Sequence, residues 1–366
     1  MSLIKVNNRG QSSNLGRRNL IINGGMQVAQ RATAATQAGN GGYNTVDRMM
    51  TWSVAGGGTF TGSQSTGHQL ATGHDTAYKV DVTGADTSIA SGDYYEFLQR
   101  IEAKNLQHLR WGTAAAKKLQ VSFWVRATKT GVQSLFVSKQ GTGTDYRNVI
   151  NYTINTTDTW EHKTIEVPAL TASTISNDDS TYVQVGFILA MGSNFHSGTA
   201  GTWTTGSFYS TANTVNHMDS TSNDFYVTGL QVEVGDSASD FEHRSFDEEL
   251  ILCQRYYQKS YVYGTAPGTA TQHGFWSTGG HQGGTSGGYV EGIINFERLM
   301  RATPTLTLYD HSGNSNKCAR LATGTARYTN QSISTSNLNA RGVTMYSTSG
   351  TAAGIVQGHY TVSAEL

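Results

Sequence analysis

The sequence predicts an all-β protein built from antiparallel sandwiches, on the evidence of its alternation and its composition. Several segments alternate apolar and polar residues with a period of two, which is typical of strands with one buried face. Thr, Ser, Gly, Asn and Tyr dominate the chain, and strong helix formers are scarce. Thr and Tyr suit pleated surfaces, whereas Gly, Asn and Ser favour turns. An ordinary β-sandwich with no specialised surface fits the same composition.

The alternation is clearest in four segments, which are residues 78–82, 119–125, 183–191 and 225–234. Turn-rich stretches separate them, at the spacing of an all-β sandwich. In the last segment the apolar phase changes between Val227 and Leu230. Gly229 lies at the change, and we therefore predict a β-bulge there.

Two segments are predicted to be helical. The first is residues 102–109, and the second is residues 247–257, with Ser245 as its N-cap and acidic residues in its first turn. On that second helix Cys253 lies on the apolar face, so it is expected to be a buried small hydrophobe. The composition changes after this helix, where the chain becomes rich in glycine.

These changes predict four regions along the chain. An N-terminal arm spans residues 1–19, a β-sandwich spans 20–238, a linker with the helix spans 239–260, and a C-terminal β domain spans 261–366.

The charge balance argues against several partners. Lys+Arg and Asp+Glu are 26 each, so the formal net charge is zero. Nucleic-acid binding and a polybasic membrane surface both need a basic excess, and the apolar runs are too short for membrane insertion. The sequence therefore predicts neither a nucleic-acid partner nor a membrane partner.

No catalytic motif for nucleotide, serine-hydrolase or zinc-protease chemistry occurs in the sequence. Asp178, Asp179 and Glu161 are candidates for a pair of carboxylates that cleaves a glycoside. Adjacent acids in an Asn/Asp/Ser-rich turn are more typical of a solvated loop. We therefore predict no enzymatic activity and no catalytic residues.

No cofactor is predicted, although one structural calcium ion remains compatible with the sequence. Calcium prefers oxygen ligands, and Asp47, Asp81 and Asp224 are candidates to supply them. Nothing in their spacing defines a metal site.

Two polar loops carry the chemistry that binds sugars, because flat aromatic rings stack on the C–H faces of sugars beside planar polar groups. The first loop, residues 192–223, holds Phe195, His196, Trp203 and Tyr209. The second, residues 264–292, holds His273, Trp276, His281 and Tyr289. Packing between the subunits of an oligomer would explain the same aromatics.

Five segments together resemble bacteriophage tail-fibre and virion appendage proteins whose body is a jelly roll like that of carbohydrate-binding modules. The segments are residues 19–31 (NLIINGGMQVAQR), 96–126, the stretch around Trp160 (DTWEHKTIEV), 229–257, and 301–308 (RATPTLTL). From this resemblance we expect a jelly-roll β-sandwich, followed by a short helix and a second, smaller β-sandwich-like C-terminal domain.

The resemblance also implies a virion location, a homotrimer and binding to host-surface polysaccharide. We therefore expect a trimeric phage tail fibre that recognises glycans without cleaving them. The basic arm is expected to attach it to other virion proteins through Arg17, Arg18 and Asn19. Two alternatives stay open, a capsid- or collar-borne fibre or knob without receptor binding, and a cellular carbohydrate-binding module.

Overall fold

The computed structural model of the protein describes residues 17–37, 41–54, 56–277, 290–322, 327–347 and 354–366. The protein is built mostly from antiparallel strands, as the sequence predicts. In the described residues there are two short α-helices, α1 (Gln69–Thr72) and α2 (Phe246–Gln254). Neither of these described helices is long and apolar enough to cross a membrane.

Twelve strands in the described residues form the first unit. They are β1 (Ala34–Gln37), β2 (Met50–Val54), β3 (Thr59–Ser65), β4 (Ala77–Gly84), β5 (Tyr94–Glu102), β6 (Leu119–Ala127), β7 (Gly131–Gln140), β8 (Tyr146–Ile154), β9 (Glu161–Val167), β10 (Tyr182–Met191), β11 (Trp203–Thr204) and β12 (Asp224–Val234).

These strands form two antiparallel sheets. Sheet A has the order β1-β3-β4-β12-β6-β9, and sheet B has the order β11-β8-β7-β10-β5-β2. The chain repeatedly crosses between the sheets, so that β4, β12, β6 and β9 face β5, β10, β7 and β8. This connectivity is a jelly roll, as predicted.

The core lies between the two sheets, where the apolar phase of each strand points inward. Four phenylalanines meet at its centre: the Phe97 ring stacks on that of Phe187 at 5.0 Å, and the rings of Phe123 and Phe225 pack against them. All four are almost completely buried. Burial of such rings is the main stabilising contribution to the sandwich.

The predicted β-bulge at Gly229 is confirmed. The pairing of β12 with β6 shifts register between Thr228 and Gln231, and Gly229 there has φ of +59°. A β-carbon added at Gly229 would lie 2.7 Å from Nε2 of His74. The position therefore needs glycine for its backbone conformation and for space.

We expect Gly229→Ala to lower the free energy of unfolding by roughly 2 kcal/mol, because it combines a strained φ with overpacking. Urea unfolding of the purified variant measures this. Gly57→Ala is the matched control, since a β-carbon there meets no atom within 4 Å. Equal losses in both variants would contradict the explanation.

A second β-bulge lies in β10 and places the last residue of that strand on the opposite face of the sheet. The alternation predicts that Met191 continues the buried phase of Val183, Val185, Phe187 and Leu189. The pairing of β10 with β5 shifts register between Ile188 and Ala190, and Met191 lies with the apolar residues on the outer face of sheet B. A one-residue offset reverses the direction of every later side chain.

The predicted helix at residues 102–109 is wrong. Strand β5 continues through Glu102, which pairs with Tyr182 of β10, and two short 3₁₀ turns follow. The local sequence pattern is helical, but Glu102 is held in an extended conformation because β5 pairs with β10. The 3₁₀ turns that follow end at Leu109.

Helix α2 begins as predicted. The side chain of Ser245 accepts from the N–H of Glu248, and the Glu248 side chain accepts in return from the N–H of Ser245, which completes a capping box. Cys253 is completely buried. The helix ends at Gln254 rather than at Tyr257, because Tyr257 begins a strand.

The remaining strands in the described residues form the C-terminal unit. They are β13 (Tyr257–Lys259), β14 (Trp276–Ser277), β15 (Val290–Asn295), β16 (Thr305–Tyr309), β17 (Lys317–Ala322), β18 (Arg327–Ser332), β19 (Ser334–Asn339), β20 (Gly342–Ser347) and β21 (Gly354–Ser363). Strand β21 pairs with β13, β14, β16 and β17, and β15, β20 and β19 form a separate small sheet.

Buried ion pairs join the C-terminal unit to the sandwich. The guanidinium of Arg255 donates to both carboxylate oxygens of Glu102, at 3.0 and 2.8 Å, and the Tyr256 hydroxyl donates to the same carboxylate at 3.1 Å. Arg48 donates to Glu365. Because Arg48 and Glu102 belong to the sandwich and their partners do not, these contacts fix the junction.

Candidate functional site

The outer face of sheet B, away from the core, carries a cleft of about 290 Å³. Strands β2, β5, β7 and β10 supply its floor and one wall, and the segment between β10 and β12 supplies the other wall. The lining residues combine aromatic and polar side chains. They are Trp52, Tyr94, Glu96, Arg100, Gln140, Gln184, Met191, Phe195, Ser207 and Tyr209.

An apolar cluster lies beneath the cleft and shares Met191 with its lining. It contains Met50, Leu98, Phe136, Ile188 and Met191. Phe136 reaches across β10 because position 186 is glycine, where a β-carbon would lie 2.4 Å from the ring. The glycine therefore allows the floor to be flat and closely packed.

Two aromatic rings from the loop after β10 close one end of the cleft. Phe195 ends a 3₁₀ turn and meets Tyr94 edge to face, with ring centroids 5.3 Å apart. Tyr209 packs against Phe136 at 4.9 Å, and its N–H donates to the carbonyl of Phe195 at 2.9 Å. The loop is thus held to the sheet by both rings and backbone.

A hydrogen-bonded amide network lies at the other end. The carbonyl oxygen of Gln184 accepts from the Ser138 hydroxyl at 2.9 Å and from the amide of Gln140 at 2.7 Å. The Tyr182 hydroxyl donates to the carbonyl oxygen of Gln140 at 3.1 Å. Within the described residues these hydrogen bonds use the carbonyl oxygen of Gln184 and not its amide nitrogen.

Glu96 is a buried carboxyl in the wall of the cleft. It is 7% exposed, and its Oε2 atom has no hydrogen-bond partner among the described residues. Burial raises the pKa of Glu96 to about 8, although the charges of Arg100 and Arg147 act in the opposite direction. At neutral pH the group is therefore mostly a neutral carboxylic acid, which can donate and accept hydrogen bonds.

Arg100 lies four residues further along the same strand. Its guanidinium carbon is 4.9 Å from the centroid of the Tyr182 ring and 5.6 Å from that of Trp52. Its Nη1 atom donates to the backbone oxygen of Leu366 at 2.6 Å. These contacts fix the plane of the guanidinium at the polar end of the cleft.

The cleft therefore presents rings beside fixed polar groups. Rings such as Trp52 can stack on an apolar face of a ligand, while the carboxyl, guanidinium and amides can pair with its hydroxyls. The outer face of a sandwich sheet is usually polar, so this half-buried aromatic cluster is unusual for its position.

Two of the residues predicted for glycan binding, Phe195 and Tyr209, line the cleft. His196 lies next to it, with Nε2 at 3.0 Å from the carbonyl oxygen of Met191. Trp203 lies elsewhere: its indole N–H donates to the carbonyl of Pro168 at 2.9 Å, and its ring packs edge to face on Trp111.

The second predicted loop is only partly described. His273 is exposed, and Trp276 is half-buried in β14 against the C-terminal core. His281 and Tyr289 lie outside the described residues. None of the described residues of this loop borders the cleft on sheet B.

Of the predicted attachment residues, Arg18 and Asn19 contact the sandwich. Their N–H groups donate to the Glu242 carboxylate, at 3.0 and 2.9 Å. The Asn19 amide donates to the carbonyl of Leu230 at 3.0 Å. Arg17 adopts a positive φ of 65°, and the rest of the arm lies outside the described residues.

The acids considered for catalysis have structural contacts. Glu161 accepts from backbone N–H groups of its own turn, Asp179 pairs with Lys104, and Asp178 accepts from Thr142. Hydrogen bonds from Thr142 and from the N–H of Thr181 lower the pKa of Asp178 well below its usual range.

The predicted calcium ligands are not brought together as one set. Asp81 and Asp224 pair across β4 and β12 with Lys79 between them, whereas Asp47 accepts from Gln30 in the separate buried segment before β2. Among the residues that the structure describes, no group of three or more His, Cys, Asp or Glu side chains could hold a metal ion.

The sequence predicted binding residues on loops, whereas most residues that line the cleft lie on strands. Trp52, Tyr94, Glu96, Arg100, Gln140 and Gln184 all lie on strands. These residues occupy the outward-facing positions of the alternating strands. The feature of the sequence that could have identified them is the presence of aromatic and amide side chains at positions that usually carry small polar residues.

No protein-family model matches the chain, and no curated protein matches it either. Among solved structures, the chain is similar to the enzymatically active domain of tailspike protein 4 of bacteriophage CBA120, at 10% identity and a TM-score of 0.28. That match covers 60% of this chain and 22% of the tailspike chain.

Two sugar-binding structures are similarly remote. A family 11 carbohydrate-binding module from Clostridium thermocellum, in complex with a β-1,3-1,4-mixed-linked tetrasaccharide, shows 13% identity and a TM-score of 0.24, over 58% of this chain and 91% of that one. A putative sugar-binding protein from Bacteroides thetaiotaomicron shows 11% identity and a TM-score of 0.32, over 59% and 100%. At this degree of similarity they assign no function to this chain.

Proposed function

We propose that the protein binds glycans, without cleaving them, in the cleft on the outer face of sheet B. The observation that carries this proposal is the juxtaposition of Trp52, Tyr94 and Tyr209 with the buried Glu96 carboxyl, whose Oε2 atom has no partner in the described part of the chain. Rings with nearby fixed hydrogen-bonding groups are what the alternating apolar and polar faces of a sugar require. A buried polar atom without a partner favours a ligand that supplies one.

The number of carboxyl groups in the cleft supports binding rather than hydrolysis. Glycoside cleavage by the common mechanism needs two carboxyl groups on either side of the bond. Among the described residues that line the cleft, Glu96 is the single carboxyl. A hydrolase would release reducing sugar from a bound polysaccharide, whereas we expect none from this protein.

We further propose that this glycan-binding chain is a trimeric tail fibre located on a virion. This part rests on the sequence resemblance to phage appendage proteins. Several copies would convert weak single-site binding into firm adhesion to a host surface. Light scattering coupled to size exclusion should give three chain masses, and a monomer would favour a cellular carbohydrate-binding module instead.

We expect Trp52→Ala to weaken glycan binding roughly tenfold to hundredfold, because the substitution removes a central stacking ring. Binding is measured by affinity electrophoresis against a panel of neutral and acidic polysaccharides, followed by calorimetry on those that retard the protein. Trp124→Ala is the matched control, since Trp124 is a half-buried tryptophan on the outer face of sheet A. Binding that survives Trp52→Ala but not Trp124→Ala would contradict the proposed site.

A further inference from the structure

The cleft on sheet B runs along β5 from Tyr94 to Arg100. A site that binds an internal stretch of a glycan must be open at both ends, because the chain enters at one end and leaves at the other. A site that binds the end of a chain needs only one opening. The contacts at the two ends of the cleft therefore indicate which part of a glycan it can hold.

The Tyr94 end of the cleft is closed by packed backbone as well as by a ring. Phe195 meets Tyr94 edge to face, with ring centroids 5.3 Å apart. The segment that carries Phe195 is tied to the residues before β5, since the N–H of Gly192 donates to the carbonyl of Asp93 at 2.7 Å. A β-carbon at Gly192 would overlap the carbonyl oxygen of Ala90, so the two segments are in close contact. A glycan chain has no path through this end.

The Arg100 end is closed by side chains of the sandwich and by the C-terminal unit. Nη1 of Arg100 donates to an oxygen of Leu366 at 2.6 Å, and the Tyr43 hydroxyl donates to that oxygen at 3.4 Å. The Tyr182 ring lies 4.9 Å from the Arg100 guanidinium carbon, and its hydroxyl donates to Gln140 at 3.1 Å. Groups that are paired with one another therefore occupy this end.

Rings bound the two long sides of the cleft. Tyr209 packs on Phe136 at 4.9 Å on one side, and Trp52 stands opposite Glu96 on the other. Between the closed ends, the floor from Glu96 to Arg100 is roughly 13 Å long at about 3.3 Å per residue. The volume of about 290 Å³ is close to the lower limit, about 300 Å³, of pockets that enclose a small molecule. This space fits one or two sugar rings.

We infer that the cleft takes the terminal one or two sugars of a glycan chain, held end-on, while the rest of the chain extends into solvent; this inference rests on the proposed glycan binding. A terminal sugar has one hydroxyl more than an internal sugar, because it lacks one linkage. The Oε2 atom of Glu96, which has no partner within the described part of the chain, can pair with such a hydroxyl.

The first test uses the wild-type protein and linear oligosaccharides of one to six sugars. The probes are the β-1,4-gluco, α-1,4-gluco, β-1,4-manno and β-1,4-N-acetylgluco series, each measured by calorimetry. In a series that binds, we expect the affinity to change by no more than about threefold from the disaccharide to the hexasaccharide, because the additional sugars lie in solvent. A larger rise would overturn end-on binding and leave glycan binding intact.

A second measurement varies the number of chain ends at constant mass. Partial acid hydrolysis of a soluble linear polymer from the same series creates new ends. The amount of protein bound per gram of polymer at saturation should rise in proportion to those ends. A capacity that stays constant or falls as the chains shorten would contradict the inference.

Phe195→Ala should weaken binding of the disaccharide and of the hexasaccharide by the same factor, about three- to tenfold, because both place the same terminal sugars beside Phe195. Phe246→Ala is the matched control. Phe246 on α2 also meets a tyrosine edge to face, Tyr263 at 5.2 Å, and neither ring lines the cleft. Circular dichroism establishes that both variants fold, and the two wild-type measurements need no variant.

The outcomes separate the two claims. A larger loss for the hexasaccharide than for the disaccharide in Phe195→Ala would show that the chain passes this end, and would overturn end-on binding. Weaker binding in Phe246→Ala but not in Phe195→Ala would overturn the assignment to this cleft. Binding to no oligosaccharide of any series, and to no polysaccharide of the panel used for Trp52→Ala, would overturn the proposed function and the inference together.

Discussion

Glu102→Ala is expected to lower the free energy of unfolding by about 2 to 3 kcal/mol, because the buried Tyr256 hydroxyl and the partly buried Arg255 guanidinium lose the carboxylate that accepts from them. The carboxylate of Glu102 is completely buried and accepts from Arg255 twice and from Tyr256 once. Since these partners begin the C-terminal unit, the loss should also loosen its attachment to the sandwich.

Urea unfolding, together with limited proteolysis near residue 255, measures this effect. Glu166→Ala is the matched control, because Glu166 also pairs with a cation, Lys118 at 2.9 Å, but both side chains are almost half exposed. An exposed pair contributes less than about 1 kcal/mol. Similar losses in the two variants would show that the buried pair does not hold the junction.

Glu96→Gln is expected to make the protein more stable at alkaline pH and to leave its stability unchanged at pH 4. Burial raises the pKa of Glu96 from 4.5 to about 8. Below pH 4.5 the carboxyl is protonated in both the folded and unfolded states, so ionisation costs nothing. Between pH 4.5 and 8 the unfolded chain loses this proton while the folded protein keeps it, so folding stability falls as pH rises.

The loss amounts to about 5 kcal/mol once both states have titrated, at about 1.4 kcal/mol for each pKa unit. Glutamine does not ionise, so its stability should not follow this course. Urea unfolding of both proteins from pH 4 to pH 9 measures the difference, with Glu166→Gln as an exposed control. Parallel curves for wild type and Glu96→Gln would show that Glu96 is not held as a neutral acid.

The sequence predicts the sandwich well because its core follows one simple rule. In β6, and in β10 as far as its bulge, the inward side chains alternate with the outward ones, so the pattern identifies strand and buried face at once. The capping box at Ser245 is equally local, since donors and acceptors lie within one turn. Features that depend on residues close together in the chain could therefore be predicted from the sequence.

The cleft could not be predicted in the same way, because pairing between distant segments creates it. Trp52 and Glu96 face each other across β2 and β5, 44 positions apart in the chain, and only the register brings them together. Met191 reaches the outer face through a bulge that alternation does not reveal. Tyr209 comes from a loop whose contact with Phe136 depends on glycine at position 186.

The predicted loop aromatics illustrate the same limit. Phe195 and Trp203 have similar surroundings in the sequence, yet Phe195 meets Tyr94 in the cleft whereas Trp203 packs on Trp111. The chemistry of their side chains suggested both as binding residues, but the position of the loop relative to the sheet brings only Phe195 into the cleft. The assignment of binding residues therefore depended on tertiary contacts.

The most direct test of the glycan-binding cleft is an ¹H–¹⁵N spectrum of the tryptophan side chains during titration with a glycan that binds. The chain has 6 tryptophans, and each indole N–H gives one signal that a Trp→Phe variant assigns. We expect the Trp52 signal to move with saturation, while the signals of Trp124 on sheet A and of Trp160, which packs on Tyr226 of that sheet, stay fixed. Movement of the Trp124 or Trp160 signal, with Trp52 unchanged, would contradict the proposed site.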